Sequence, residues 1–146
     1  MRYSLNEGYL ELPGQWLDRS VNALLPALAE VTGSNLVLTR DELPYGTEFA
    51  DYLKVQQAKY KRELNDLQMQ REEMGTLDGR ACLFLEFTWN NDGLTIHQLA
   101  TIVLDSPLVL TFTFTSPGQL PEQVRQDVGA ALAGFRFHPK MPDPVQ

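Results

Sequence analysis

Between residues 77 and 115 the chain alternates long apolar runs with short turn sequences. Residues 80–89 read RACLFLEFTW, 94–104 read LTIHQLATIVL and 108–115 read LVLTFTFT. The connectors are Asn90-Asn91-Asp92-Gly93 and Asp105-Ser106-Pro107. Asp-Gly supplies the positive φ angles that a tight hairpin needs. The segment is therefore predicted as an antiparallel meander of β-branched and aromatic strands. These strands carry more apolar positions than a sheet with one wetted face requires, so something must cover the second face.

The pattern on either side predicts the remaining elements. A first strand is expected over 3–12, with Gly8 marking a bulge or turn inside it and Pro13-Gly14 ending it. A second strand, LDRSVNALL at 17–25, ends at Pro26, and 27–34 reads as a loop. A third, NLVLTR, covers 35–40. Residues 47–74 are predicted as one long helix, because Phe49, Leu53, Tyr60, Leu64 and Leu67 recur at helical spacing and Gly75 stands where a stop is expected. Such a helix would be roughly 40 Å long, enough to cross a whole sheet. Asp78-Gly79 turns the chain into the meander. Pro121 opens a short amphipathic helix carrying Val124, Val128, Ala131 and Leu132, and Gly134 closes it. A last strand is expected at 135–137, then a Pro-rich tail over 139–146 that frays. The order βββ, long α, βββ, short α, β, with residues 1–138 as a single domain, indicates an α+β fold around an antiparallel sheet.

Charge narrows the partners. Twelve basic against nineteen acidic residues leave a net charge of −7, which argues against a nucleic-acid backbone and against an anionic membrane surface. The first residues carry no signal-type apolar stretch, and no apolar run is long enough to cross a bilayer as a helix, so a cytoplasmic location is expected. The single cysteine, Cys82, alternates with Phe84 in a strand and reads as a buried structural thiol in a reducing compartment.

Candidate chemistry is sparse. His97 and His138 each lack a second ligand close in sequence, so no metal is expected. There is no Gly-rich phosphate loop and no nucleophile elbow. Glu86 and His97 lie on adjacent predicted strands, where they form either a cross-strand polar pair or, far less commonly, part of an acid–base site. Gln56 and Gln57 border the apolar stripe of the long helix, and Gln98 interrupts a strand of Leu, Ile, Ala and Val. Each reads by itself as a solvent-facing or edge side chain, whereas Gln57 and Gln98 together could place uncharged donor–acceptor groups in an apolar concavity. Val21 and Ala23 share one face of the second strand and Val37 lies in the third; they read as ordinary core, and the sequence does not choose between the two faces of the sheet.

An ordered set of motifs adds to this reading: DRSVNALLP (18–26), NLVLTRDELPYG (35–46), FADYLKVQQ (49–57), LDGRACLFLEFTW (77–89), HQLATIVL (97–104), VLTFTFTSPG (109–118) and FRFHP (135–139). Together they resemble the DcrB-like family, and within it the effector-associated (Eag) chaperones of bacterial type VI secretion. The chain departs from that pattern at Ala23, Gln56 and Leu99-Ala100. The resemblance implies a Mog1/PsbP-like α/β/α sandwich, a homodimer, no enzymatic activity and no cofactor. It implies a partner too: the N-terminal transmembrane segment of a Rhs-type or other PAAR-containing effector, shielded from water before loading onto the secretion spike. By motif, the groove positions would be Val21, Ala23, Val37, Gln57 and Gln98. Two rival readings stand beside it: a small-molecule or hydrolytic site using Glu86, His97 and Asp105, and a module that binds a folded partner such as a small GTPase, by analogy with Mog1.

Overall fold

The computed structural model describes residues 1–27 and 33–139. Most of the predicted loop over 27–34, and the tail beyond Pro139, lie outside the described residues. The chain runs β1 (Arg2–Ser4), β2 (Tyr9–Glu11), β3 (Asn22–Leu24), β4 (Asn35–Glu42), α1 (Phe49–Glu63), β5 (Gln68–Leu77), β6 (Arg80–Asn91), β7 (Leu94–Asp105), β8 (Leu108–Pro117) and α2 (Glu122–Ala133). Strands β1 and β2 form a small hairpin of their own. The other six make one antiparallel sheet in the order β3-β4-β8-β7-β6-β5.

The meander forms where the turn signals placed it. Asp78-Gly79 and Asp92-Gly93 both adopt positive φ at each residue, the backbone that matches a two-residue hairpin to the twist of its strands. One helix packs on each face of the sheet. Tyr52 and Leu53 of α1 join Leu83, Leu85, Phe87, Ala100, Ile102 and Val109 in one core cluster. Leu132 of α2 joins Leu77, Cys82, Val103, Leu110 and Phe112 in the other. The expected α/β/α layering therefore holds. Much of the apolar strand surface that demanded a cover is covered by the chain's own helices.

The long helix is the main correction. It ends at Glu63, after 15 residues or about 22 Å, and Leu64 is already extended. Asp66 then takes a left-handed conformation at φ 53°, and residues 68–77 become edge strand β5. Gln, Met, Arg and Glu favour helix, but pairing along β6 overrides that weak preference. Leu64 and Leu67 still pack against the α1-side core, which is why the helical stripe ran on through them. Gly75, expected as a helix stop, instead lies opposite Cys82 in the sheet, and a Cβ there would come within 2.9 Å of the Phe84 ring.

Three smaller corrections follow the same logic. The expected first strand folds back as the β1/β2 hairpin, with the Leu5 amide donating to the Gly8 carbonyl across the turn. Only Asn22–Leu24 of the second strand pairs with β4; Asp18 instead accepts the Ser20 amide in a local turn. Residues 135–137 are not a strand. Phe135 and Phe137 pack beside α2, with the Phe135 ring edge-on to both Phe112 and Phe137.

Candidate functional site

Side chains alternate across a sheet, so the register assigns each strand residue to a face. On the α1 face one row runs Ala23, Val37, Thr113, Ala100, Leu85, Glu72 from edge to edge. The neighbouring row runs Asn35, Thr115, Gln98, Phe87, Met69. Helix α1 covers the middle and the β5 side of these rows, burying Leu85, Phe87 and Ala100. Toward the β3 edge, Ala23 is exposed while Val37, Thr113, Thr115 and Gln98 are half-buried. Val21, just before β3, is 61% exposed. This part of the face is uncharged in a chain of net charge −7.

The structure thus brings Ala23, Val37 and Gln98 onto one open face with Val21 beside them, and sets Gln57 apart. The Gln57 amide donates to Glu72 on edge strand β5. That is five strand spacings, about 24 Å, from Ala23. Tyr52 marks the other flank of α1: its hydroxyl donates to Asp41 of β4 at 3.1 Å. Burial and the adjacent Asp41 carboxylate push the Tyr52 phenol up to about 12, so it remains a donor. Gln56, one helical turn beyond Tyr52, lies on that same flank and is half-buried.

Gln98 is not free to turn. Its carbonyl oxygen accepts the Trp89 indole N–H at 2.7 Å, and its amide nitrogen donates to the Thr115 hydroxyl at 2.9 Å. Trp89 and Thr115 carried no signal in sequence, because their meeting depends on the register of three strands.

The opposite face carries the polar cluster. Glu86 and His97 do meet across the β6/β7 hairpin, with His97 Nε2 2.7 Å from Glu86 Oε2. Arg125 of α2 joins them, and its guanidinium makes a forked contact with both carboxylate oxygens. The Glu86 side chain is only 5% exposed. The Arg125 contact holds its carboxyl below the usual range, against the burial that would raise it, with His97 adding to the effect. A carboxylate so committed is a poor base. Asp105 is elsewhere: it pairs with Arg80, and eight residues along β7 separate it from His97 by about 26 Å. The Glu86–His97–Asp105 site is not assembled. Arg125 was legible in part, since it shares a helical face with Val128 and Leu132. Cys82 is fully buried, and burial pushes its thiol up. On this face too, Leu24, Leu25, Pro26, Leu36, Phe114, Val128, Ala131 and Leu132 line an apolar hollow of about 210 Å³. Among the described residues no three His, Cys, Asp or Glu side chains gather as a metal site, and no helix is long and apolar enough to cross a membrane.

The DcrB family profile matches residues 7–134. The chain belongs to the DcrB family. Its relatives include a Pseudomonas aeruginosa protein named Effector EagT6, 29% identical over 121 residues that cover 82% of this chain and 84% of the relative. The crystal structure of a Pseudomonas aeruginosa protein of unknown function superposes with a TM-score of 0.77 at 25% identity, covering 96% of this chain and 98% of that one. Two more distant structures share the fold. LpqN of Mycobacterium tuberculosis has a TM-score of 0.50 at 17% identity, covering 75% of this chain and 64% of its own. The cyanobacterial PsbP of Synechocystis has a TM-score of 0.50 at 16% identity, covering 90% and 86%. The DcrB recognition drawn from the ordered motifs and the expected PsbP-like α+β class both hold.

Proposed function

We propose that this DcrB-family chain is a cytoplasmic type VI secretion chaperone. It holds the N-terminal transmembrane helices of a Rhs-type or other PAAR-containing effector until the effector is loaded onto the secretion spike. The likeness to Effector EagT6 across most of both chains carries the reading. The open α1 face supports it. A transmembrane helix in water exposes a large apolar surface and aggregates. In a bilayer such helices associate through small residues and through uncharged polar side chains that bond across the interface. Val21, Ala23 and Val37 offer the apolar part of that contact, and Gln98 the polar part. Gln57 joins the contact set at the far flank of α1, where a second client helix would lie.

The chain works as a homodimer. Tyr9, Leu10, Trp16 and Leu17 of the N-terminal arm are each more than half exposed, and a second copy covers such surface. Function needs no catalytic residue, metal or cofactor, consistent with Glu86 being committed to Arg125 and His97. One feature favours a second location for the client: the apolar hollow beside Leu24 on the α2 face. The test is co-expression with the N-terminal segment of a PAAR-containing effector encoded beside the gene. Stoichiometric co-purification of that segment, lost with Val37→Asp and kept with Leu24→Asp, is the expected result. Loss with Leu24→Asp alone moves the client to the other face. No capture of any such segment overturns the chaperone reading.

A further inference from the structure

We infer that Trp89 and Thr115 are positioning residues that aim the Gln98 amide at the client, and that the site they build selects a hydrogen-bond acceptor on an otherwise apolar helix. The inference rests on the proposed groove and names what it reads. An indole nitrogen only donates. The 2.7 Å contact with Trp89 therefore fixes the Gln98 carbonyl toward the indole, and its NH₂ must point the other way, where Thr115 accepts at 2.9 Å. Turning the amide over would set two donors against each other at Trp89. The three residues stand on β6, β7 and β8 and share the α1 face, so the relay crosses three strands of the sheet's centre.

The donors run in one direction: Trp89 into Gln98, and Gln98 into Thr115. A hydroxyl that accepts retains its own proton to donate, and a primary amide retains its second N–H. The half-buried end of the relay thus presents two donors from neighbouring strands. Their complement is a side-chain oxygen of Ser, Thr, Asn or Gln on the bound helix. A carboxylate would offer oxygen as well, but desolvating its charge in an uncharged groove opposes it.

The probes are two synthetic 20-residue Leu/Ala helical peptides with lysine ends, identical except for one central Asn or Leu, titrated against the full chain. Relative to Gln98→Leu, wild type is expected to shift the ratio of affinities toward the Asn peptide by about five- to ten-fold, the factor one uncharged hydrogen bond supplies; that shift is the preference read below. Trp89→Phe and Thr115→Val should each cut it below about two-fold while leaving affinity for the Leu peptide unchanged. Thr115→Ser, which keeps the hydroxyl, should restore it. Adding Trp89→Phe to Gln98→Leu should change nothing further, because both act through one amide. A full preference surviving in Trp89→Phe and Thr115→Val, or Thr115→Ser behaving as Thr115→Val, overturns the positioning role. Equal loss of both peptides in those variants marks them as merely structural and overturns it too. Wild type binding neither peptide overturns the groove reading itself. An independent check needs no peptide: in the free protein, the Trp89 indole N–H resonance should shift in Gln98→Leu, and an unmoved resonance overturns the relay.

Discussion

Arg125 on α2 grips the buried carboxylate of Glu86 on β6 with two nitrogens, Nε 2.9 Å from Oε2 and Nη2 2.7 Å from Oε1. The pair ties the short helix to the sheet across 39 residues of sequence. Arg125→Ala would leave the buried carboxylate with His97 as its remaining partner in a nearly dry site. With the guanidinium partly open to water, we expect a loss of about 2 kcal/mol, read by urea unfolding.

The same pair sets a pH dependence. Glu86 is held below its ordinary value of 4.5, so the folded state binds its proton less readily than the unfolded chain. Its contribution is complete above the ordinary value and is lost as pH falls through the depressed folded value. Wild type should therefore lose stability more steeply below pH 4.5 than Glu86→Gln, which keeps the shape without the titration. Parallel acid profiles for the two proteins would show that the carboxylate is not the group responsible.

Gly75→Ala tests the packing of β5 against β6. In β5 the new methyl meets the Phe84 ring at 2.9 Å. A destabilisation of about 1–3 kcal/mol is expected from overpacking, measured as a lower midpoint of chemical unfolding.

For the client, position along the sheet ranks the variants. Val37→Asp should abolish capture of an apolar helix, since the new charge would have to be desolvated against it. Gln98→Ala should weaken a single-helix client about five-fold. Gln57→Ala should change it less than about two-fold, because its amide is engaged with Glu72 at the far edge. Equal effects of the two glutamine substitutions on a single helix would place that helix across α1 rather than beside it.

Cys82 is buried beneath the α2 side, and its thiol is held neutral by that burial. It should ignore a thiol reagent such as DTNB in the native protein and react once in denaturant. Rapid labelling at neutral pH in the folded state would contradict the packing of that core.

Local chemistry alone determined much of this molecule. Asp-Gly pairs can take the positive φ of a hairpin, so the meander's turns at 78–79 and 92–93 were readable residue by residue. Alternation and β-branching defined the strands between them, and the apolar stripe of α2 defined its buried side. Tertiary structure decided what local preference left balanced. Residues 68–77 have helix-favouring side chains and became a strand because β6 offered a partner along their whole length. The Asn65-Asp66 turn that separates them from α1 was a visible but weaker signal than the stripe running through Leu64 and Leu67. The candidate site divides the same way. That Val21, Ala23, Val37 and Gln98 are uncharged positions was plain from sequence. Their gathering on one side of α1, with Gln57 on the other, follows from strand order, and so does the meeting of Gln98 with Trp89 and Thr115. Strand order and register are set by packing over the whole sheet, and no short stretch of chain contains them.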